Sequence, residues 1–188
     1  MISLPVEVRF GGLGGQGLVT LGSVLAEAGA RRGLRVAASQ AYGSAARGGA
    51  TCADVILSTE PIDFPHVIKP GWLLALAQEG YDRYAPTVNN GGTILFDSFF
   101  VHGCNQPAVR QYAVPSTAVA IEKAGNQVAA NFIMLGALIG LSELAGLDEV
   151  EAAMNNSIVE RYRALNLKAL GIGFEMGKRI RDAHTATE

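Results

Sequence analysis

Residues 6–17 read Val6-Glu7-Val8-Arg9-Phe10-Gly11-Gly12-Leu13-Gly14-Gly15-Gln16-Gly17, and the next fifteen residues change character completely. Residues 5–10 have the length and apolar content of a short strand running into a glycine loop, Gly11–Gly17. From Gln16 to Arg32, Leu18, Leu21, Val24, Leu25 and Ala28 recur at the spacing that puts them on one helix face. Gly33 sits where a helix end favours glycine. Strand, glycine turn and helix in this order open an α/β domain, and Gly12, Gly14 and Gly17 fit the G-x-G-x-x-G pattern.

Glycines at this junction let the chain turn tightly and let a ligand approach the backbone. The helix N-terminus adds unpaired N–H groups and a partial positive charge, which suit a phosphate. A dinucleotide site also needs an acid near the end of the second strand to hold the ribose hydroxyls. No acid occurs between Glu27 and Asp54, and Arg35 stands at the start of the second strand. Two readings of Gly12, Gly14, Gly15, Gln16 and Gly17 therefore stand: a ligand loop, or a tight turn allowing close contact with another chain.

Outward from this unit, residues 34–42 form a second strand, followed by a flexible stretch, Gly43–Gly49. A third strand, Ala50–Ser58, alternates Cys52, Asp54 and Ile56 against Ala53, Val55 and Leu57. Pro61, Pro65 and Pro70 mark a loop. Leu73–Ala77 and Thr93–Asp97 are apolar without alternation, as strands buried on both faces are. Gln78–Tyr84 is a short helix, and Arg110–Val114 a further strand ending at Pro115. Helices are predicted at Ser116–Ala124 and Val128–Ala145, with a pair inside Asp148–Ile180 and a frayed tail at His184–Glu188. This pattern predicts one three-layer α/β domain over residues 1–188, its sheet mostly parallel or mixed, with a helical C-terminal cap.

Composition narrows the functions. At 188 residues the chain is long enough for a proper core. Its mean hydropathy of +0.23, with 17% charged residues, points to a surface partly covered by partner chains. A net charge of −2 argues against a general nucleic-acid binder. Residues 1–53 nonetheless carry five arginines against two acids, so an anionic ligand is expected in the N-terminal third. Two cysteines, Cys52 and Cys104, cannot hold an iron–sulfur cluster and read as packing thiols. The N-terminus lacks a signal-peptide pattern, and the apolar run Phe132–Leu141 is about half a membrane span. The expected location is the cytoplasm, with no membrane span.

A second loop, Ser39 to Ala50, leaves the second strand beside the glycine loop, where open α/β sheets form their crevice. Tyr42, Arg47 and Gly48 are candidates there, because arginine suits bidentate phosphate contacts. The alternative is turns at the glycines, a packed Tyr42 and a salt-bridged Arg47. Gly125-Asn126 reads as one helix end followed by the cap of the next. Asn131 lies among apolar neighbours and needs a polar partner. Trp72 and the Phe99-Phe100 pair suit a core or an interface. His66, His102 and His184 have no ligand spacing.

The glycine loop, Thr20 and the string QAYGSAARGGATCADVILS (residues 40–58) resemble the gamma subunit, or domain III, of 2-oxoacid:ferredoxin oxidoreductases. That family shows G-x-G-G-Q-G and, about 25 residues later, Q-S-Y-G-P-E-x-R-G-G. Ile62 and Pro65, Gly91-Gly92, Asp97-Ser98, Pro115, Ala120, Gly125-Asn126, Asn131, Leu135-Gly136, Asn166 and Ala169 extend the resemblance over about residues 6–177. One departure is Ser44-Ala45 in place of Pro-Glu, which removes a polar contact.

The resemblance implies oxidative decarboxylation of a 2-oxoacid, with coenzyme A as co-substrate and electrons passed to ferredoxin. The segment EPIDFPHVIKP (residues 60–70) is closer to the 2-oxoglutarate type than to the pyruvate type. Thiamine diphosphate and iron–sulfur clusters would sit on alpha, beta and delta subunits, with no cofactor and no catalytic residue on this chain. Its share would be assembly contacts and a wall of the coenzyme A path. The competing readings are a stand-alone nucleotide-binding oxidoreductase and a purely structural scaffold subunit.

Overall fold

The computed structural model describes residues 4–41 and 49–185. Six strands form one sheet: β1 (Val6–Leu13), β2 (Arg35–Ala41), β3 (Ala50–Ser58), β4 (Trp72–Ala75), β5 (Thr93–Asp97) and β6 (Arg110–Val114). Their spatial order is β2-β3-β1-β4-β5-β6. β1, β4, β5 and β6 are parallel neighbours, whereas β3 runs antiparallel to both β1 and β2. The sheet is therefore mixed. The helices are α1 (Leu18–Arg31), α2 (Gln78–Tyr84), a single turn α3 (Ser116–Val119), α4 (Ala130–Ser142), α5 (Leu147–Ser157) and α6 (Glu160–Thr185).

Period-2 alternation sorts the strands between two cores. Val8 and Phe10 of β1 and Ala53, Val55 and Leu57 of β3 face α1, α4, α5 and α6. Cys52, Leu73, Ala75 and Ile94 face the smaller layer around Tyr81 and Tyr84 of α2. Burial raises the Tyr84 phenol to about 12, and a hydrogen bond with the Cys52 thiol adds to the shift. On the same face, cross-strand neighbours Arg9 and Asp54 make a buried bidentate pair, with N···O distances of 2.7 Å. Burial works against the Arg9 charge, but the Asp54 carboxylate more than offsets it and raises the guanidinium pKa. Arg9 also donates to the Val67 carbonyl at 2.7 Å, tying the proline-rich loop to the sheet.

Eleven of the thirteen residues of α4 are buried, so this helix lies between the sheet and another helix instead of on the surface. The covering helix is α6, and glycines set the spacing. A Cβ on Gly136 or Gly140 would strike the α6 backbone at Leu170 or Phe174. One on Gly173 or Gly177 would strike the α4 backbone at Ile133 or Ala137.

Several expected boundaries move. β1 continues through Gly11 and Gly12 to Leu13, because both glycines keep pairing with β3, opposite Cys52 and Thr51. Gly80 of α2 packs directly on their backbone, closer than any side chain permits. β4 starts at Trp72 and ends at Ala75. The expected helix at Ser116–Ala124 is one α turn followed by a π turn, Ala120–Ala124, ended by Gly125 at φ 68°. α6 runs through His184 to Thr185, so the tail is helical further than expected; residues 186–188 lie outside the described residues.

Candidate functional site: a crevice at the switch point of the sheet

From β1 the chain crosses to β2 on one side, and from β4 it crosses to β5 on the other. β1 and β4 are neighbours, so the strand order reverses between their carboxyl ends, where open sheets form a crevice. Here it holds a cavity of about 460 Å³, lined by Gly15, Gln16 and Gly17 after β1, Leu76 after β4 and Asp97 at the end of β5. Thr117 of α3, Asn131 of α4 and Asn166 of α6 add polar side chains to its lining.

Gln16 builds this corner. Its Oε1 accepts from the Leu13 N–H at 2.7 Å and its Nε2 donates to the Leu76 carbonyl at 3.0 Å, joining the ends of β1 and β4. Asn131 Nδ2 donates to the Gln16 carbonyl at 3.2 Å, while its Oδ1 accepts from Phe132 N–H. Gly15 and Gly17 adopt φ 88° and 76°, a region that glycine alone enters freely. Gly17 caps α1, whose first turn has no side-chain cap and no acid. Gly14 differs from both in that its φ is not left-handed, and at Gly14, as at Gly15, nothing among the described residues lies within 4 Å of a Cβ position.

Asp97 anchors the far wall. Its carboxylate accepts from the Thr117 hydroxyl at 2.5 Å, the Phe99 N–H at 3.1 Å and the Thr117 N–H at 3.4 Å. Apolar side chains crowd the rim: Phe100 is 47% exposed, Val128 68%, Val159 64% and Tyr162 44%. A group of large exposed apolar residues around one opening marks an interaction site.

The predicted residues divide. Gly15, Gln16, Gly17 and Asn131 meet at the cavity, with Gln16 and Asn131 holding the loop in shape. Gly12 belongs to β1 and does not line the cavity, and Gly14 is exposed beside it. Tyr42, Arg47 and Gly48 lie outside the described residues. Their flanks are at the same sheet edge, since Ala41 pairs with Cys52, which pairs with Gly11.

The four described arginines of the N-terminal third lie away from the crevice. Of the arginines in the N-terminal third, Arg9 is buried against Asp54 and Arg31 pairs with Glu27 on α1. Arg32 caps the α4 end at the Glu143 carbonyl, and Arg35 starts β2 at the opposite sheet edge. The Cys104 expectation is corrected: the residue is exposed, not packed. Hydrogen bonding with Gln106 and with the Tyr81 hydroxyl lowers its thiol pKa. Asp97, Thr117 and Asn166 were not singled out as site residues. Asn166 had a usable signal, because it shares the inward stripe of α6 with Ala169, Leu170, Gly173 and Gly177.

Residues 7–176 match the pyruvate ferredoxin/flavodoxin oxidoreductase family. The chain belongs to this family. It is 37% identical over 182 residues to the 2-oxoglutarate synthase subunit KorC of Methanocaldococcus jannaschii, covering 95% of this chain and 97% of that subunit. The gamma subunit of a keto/oxoacid ferredoxin oxidoreductase from Geobacter sulfurreducens superposes with a TM-score of 0.85 at 34% identity, over 94% of this chain and 98% of that one. The 2-oxoglutarate:ferredoxin oxidoreductase of Magnetococcus marinus, solved with 2-oxoglutarate, coenzyme A and succinyl-CoA, shares the fold. Its TM-score is 0.81 at 22% identity, over 97% of this chain and 32% of that one. The chain's six-stranded α/β sheet covered by helices matches the fold of the Geobacter sulfurreducens gamma subunit. Among the described residues, no helix is long and apolar enough to cross a membrane, and no three metal-ligating side chains gather.

Proposed function

We propose that this chain is the gamma-type subunit of a cytoplasmic 2-oxoglutarate:ferredoxin oxidoreductase and that its switch-point crevice forms part of the wall along which coenzyme A reaches the reaction. The observation that carries this reading is end-to-end similarity to a KorC subunit, joined to a small-ligand crevice with an apolar rim. The reaction joins a 2-oxoacid and coenzyme A, releases carbon dioxide, and sends two electrons one at a time to ferredoxin. Thiamine diphosphate supplies the carbanion chemistry and iron–sulfur clusters the electron path, both held by alpha, beta and delta partners. With two cysteines, one buried and one exposed, this chain lacks the four thiolates of a cluster.

The chain's own tasks are then binding and exclusion of water. Gln16 and Asn131 fix the loop, and Gly14 offers a backbone that another molecule can approach. The exposed Phe100, Val128, Val159 and Tyr162 seal against a partner subunit. Arg47, which lies outside the described residues, is our candidate for the cation that meets the coenzyme A phosphates, because arginine suits bidentate phosphate contacts.

Tagging the chain and purifying it gently without oxygen tests the reading. Companion chains should appear with thiamine diphosphate and iron. Dye reduction should require coenzyme A and run faster with 2-oxoglutarate than with pyruvate or 2-oxoisovalerate. A chain that purifies alone sinks the subunit role, and a preference for pyruvate sinks the substrate.

A further inference from the structure

A second cavity lies at the amino ends of the parallel strands, the end of the sheet away from the crevice. β4, β5 and β6 begin in register, so Trp72, Thr93 and Arg110 stand side by side as its floor, with Tyr112 on the same face two residues further along β6. Glu143 and Leu144, just past α4, and Arg181 near the end of α6 roof it, and Arg32 closes one side. The space is about 800 Å³, within the roughly 300–1,000 Å³ of small-ligand sites. Its apolar lining, Leu4, Leu34, Trp72, Tyr112, Leu141 and Leu144, is buried or half-buried throughout, so the site is a concave slot and not a protruding docking face.

The charge of this lining is one-sided. Three arginines (Arg32, Arg110, Arg181) stand against one acid, Glu143, a net of +2 with His184 neutral. Arg181 answers Glu143 at 2.6 Å. Arg32 and Arg110 have no acidic partner among the described residues. Each donates instead to a carbonyl, Arg32 to that of Glu143 at 3.0 Å and Arg110 to that of Gly91 at 3.1 Å. Such bonds steady a guanidinium without neutralising it and leave most of its five N–H donors for another molecule. The ends of α4 and α6 account for two of the three arginines, because free helix carbonyls favour cations. Arg110 serves neither helix: it opens β6 and donates to a loop carbonyl.

A small inorganic anion would meet the arginines and leave the apolar wall unmatched, and a neutral apolar molecule would do the reverse. We propose that this cavity binds an organic acid with an apolar body. Arg110 takes the carboxylate, whose planar pair of oxygens suits a guanidinium fork, and Arg32 adds charge. The body lies against Trp72, Tyr112 and Leu141. This inference does not rest on the coenzyme A reading of the crevice.

Trp72 is the chain's single tryptophan and lines the cavity, so its fluorescence reports occupancy in the full-length chain. The probes are phenylacetate, its neutral analogue phenylacetamide, and acetate. Phenylacetate should change Trp72 emission saturably and bind roughly tenfold or more tightly than either of the others, the scale of one hydrogen bond to a charged group. Arg110→Gln should weaken phenylacetate by roughly tenfold and leave phenylacetamide within about twofold of its parent value. Thermal melting reports whether the variant folds, and Arg32→Gln, expected to weaken phenylacetate in the same direction, stands in if it does not. Glu188, the one acid after Thr185, is neutralised as a control: Glu188→Gln should leave phenylacetate binding within about twofold.

The proposal is overturned if phenylacetate gives no saturable change, if phenylacetamide or acetate binds as tightly, or if the arginine variant binds as the parent does. It is overturned as well if Glu188→Gln tightens phenylacetate by roughly tenfold, because the chain's own tail is then the occupant.

Discussion

Gly171 and Gly173 lie two residues apart in α6, and changing each to alanine should move stability in opposite directions. Alanine is favoured over glycine in a helix interior by roughly 0.8–1.0 kcal/mol. At Gly171 nothing lies within 4 Å of the new methyl, so Gly171→Ala keeps that whole gain. At about 2–4 °C per kcal/mol for a chain of this size, the melting temperature should rise by roughly 2–4 °C. At Gly173 the methyl would overlap the Ile133 carbonyl oxygen and stand 2.7 Å from its carbon and 2.8 Å from Ile133 Cα. Carbon atoms settle at about 3.5–4.0 Å, so α6 must move away from α4 by a large fraction of an ångström. Overpacking of this kind costs about 1–3 kcal/mol or more and exceeds the propensity gain, for a net loss near 1–2 kcal/mol. Gly173→Ala should therefore melt roughly 2–8 °C lower. Thermal unfolding by circular dichroism reads both. The same shift would separate Asn131 on α4 from Asn166 on α6, so the glycine contact also sets the width of the crevice. If both variants become more stable, the close backbone contact between α4 and α6 is refuted.

Three further outcomes are expected. Asp54→Asn leaves the Arg9 charge buried without its partner and should cost about 3–5 kcal/mol in denaturant unfolding, much of it recovered when Arg9→Met is combined with Asp54→Leu. Gln16→Glu removes the N–H that reaches the Leu76 carbonyl and sets a carboxylate against it, for a loss of about 1–3 kcal/mol measured the same way. Alkylation of Cys104 should accelerate at lower pH than for an ordinary thiol of pKa about 8.5, because Gln106 and Tyr81 favour its thiolate. Gln106→Leu should move that profile back up, and the buried Cys52 should stay unreacted.

The first strand, the glycine turn and α1 were legible because one sequence-local signal, period 2 giving way to 3.6, marks them. The two faces of β3 were read from the same alternation. What local pattern does not carry is pairing. The reversal of β3 against both neighbours is a long-range fact, and so is the continuation of β1 through Gly11 and Gly12, whose glycines serve the approach of α2 at Gly80. Composition likewise carries no placement: of the N-terminal arginines that are described, Arg9 lies on one sheet face and Arg32 and Arg35 at the end of the sheet opposite the crevice. Gln16 and Asn131 were both candidates in the sequence, but no spacing rule showed that the Asn131 amide holds the Gln16 carbonyl. Asn166 sits on a helical stripe otherwise made of small and apolar residues, and an amide in such a stripe is the feature to look for.

Hydrogen exchange on the assembled enzyme, with and without coenzyme A, tests the central claim most directly. Amides in residues 13–20 of the glycine loop and α1 start, and in residues 126–132 leading into α4, should exchange more slowly once coenzyme A is added. Exchange unchanged in both stretches, with protection confined to partner subunits, would contradict a crevice on the coenzyme A path and leave this chain as a scaffold.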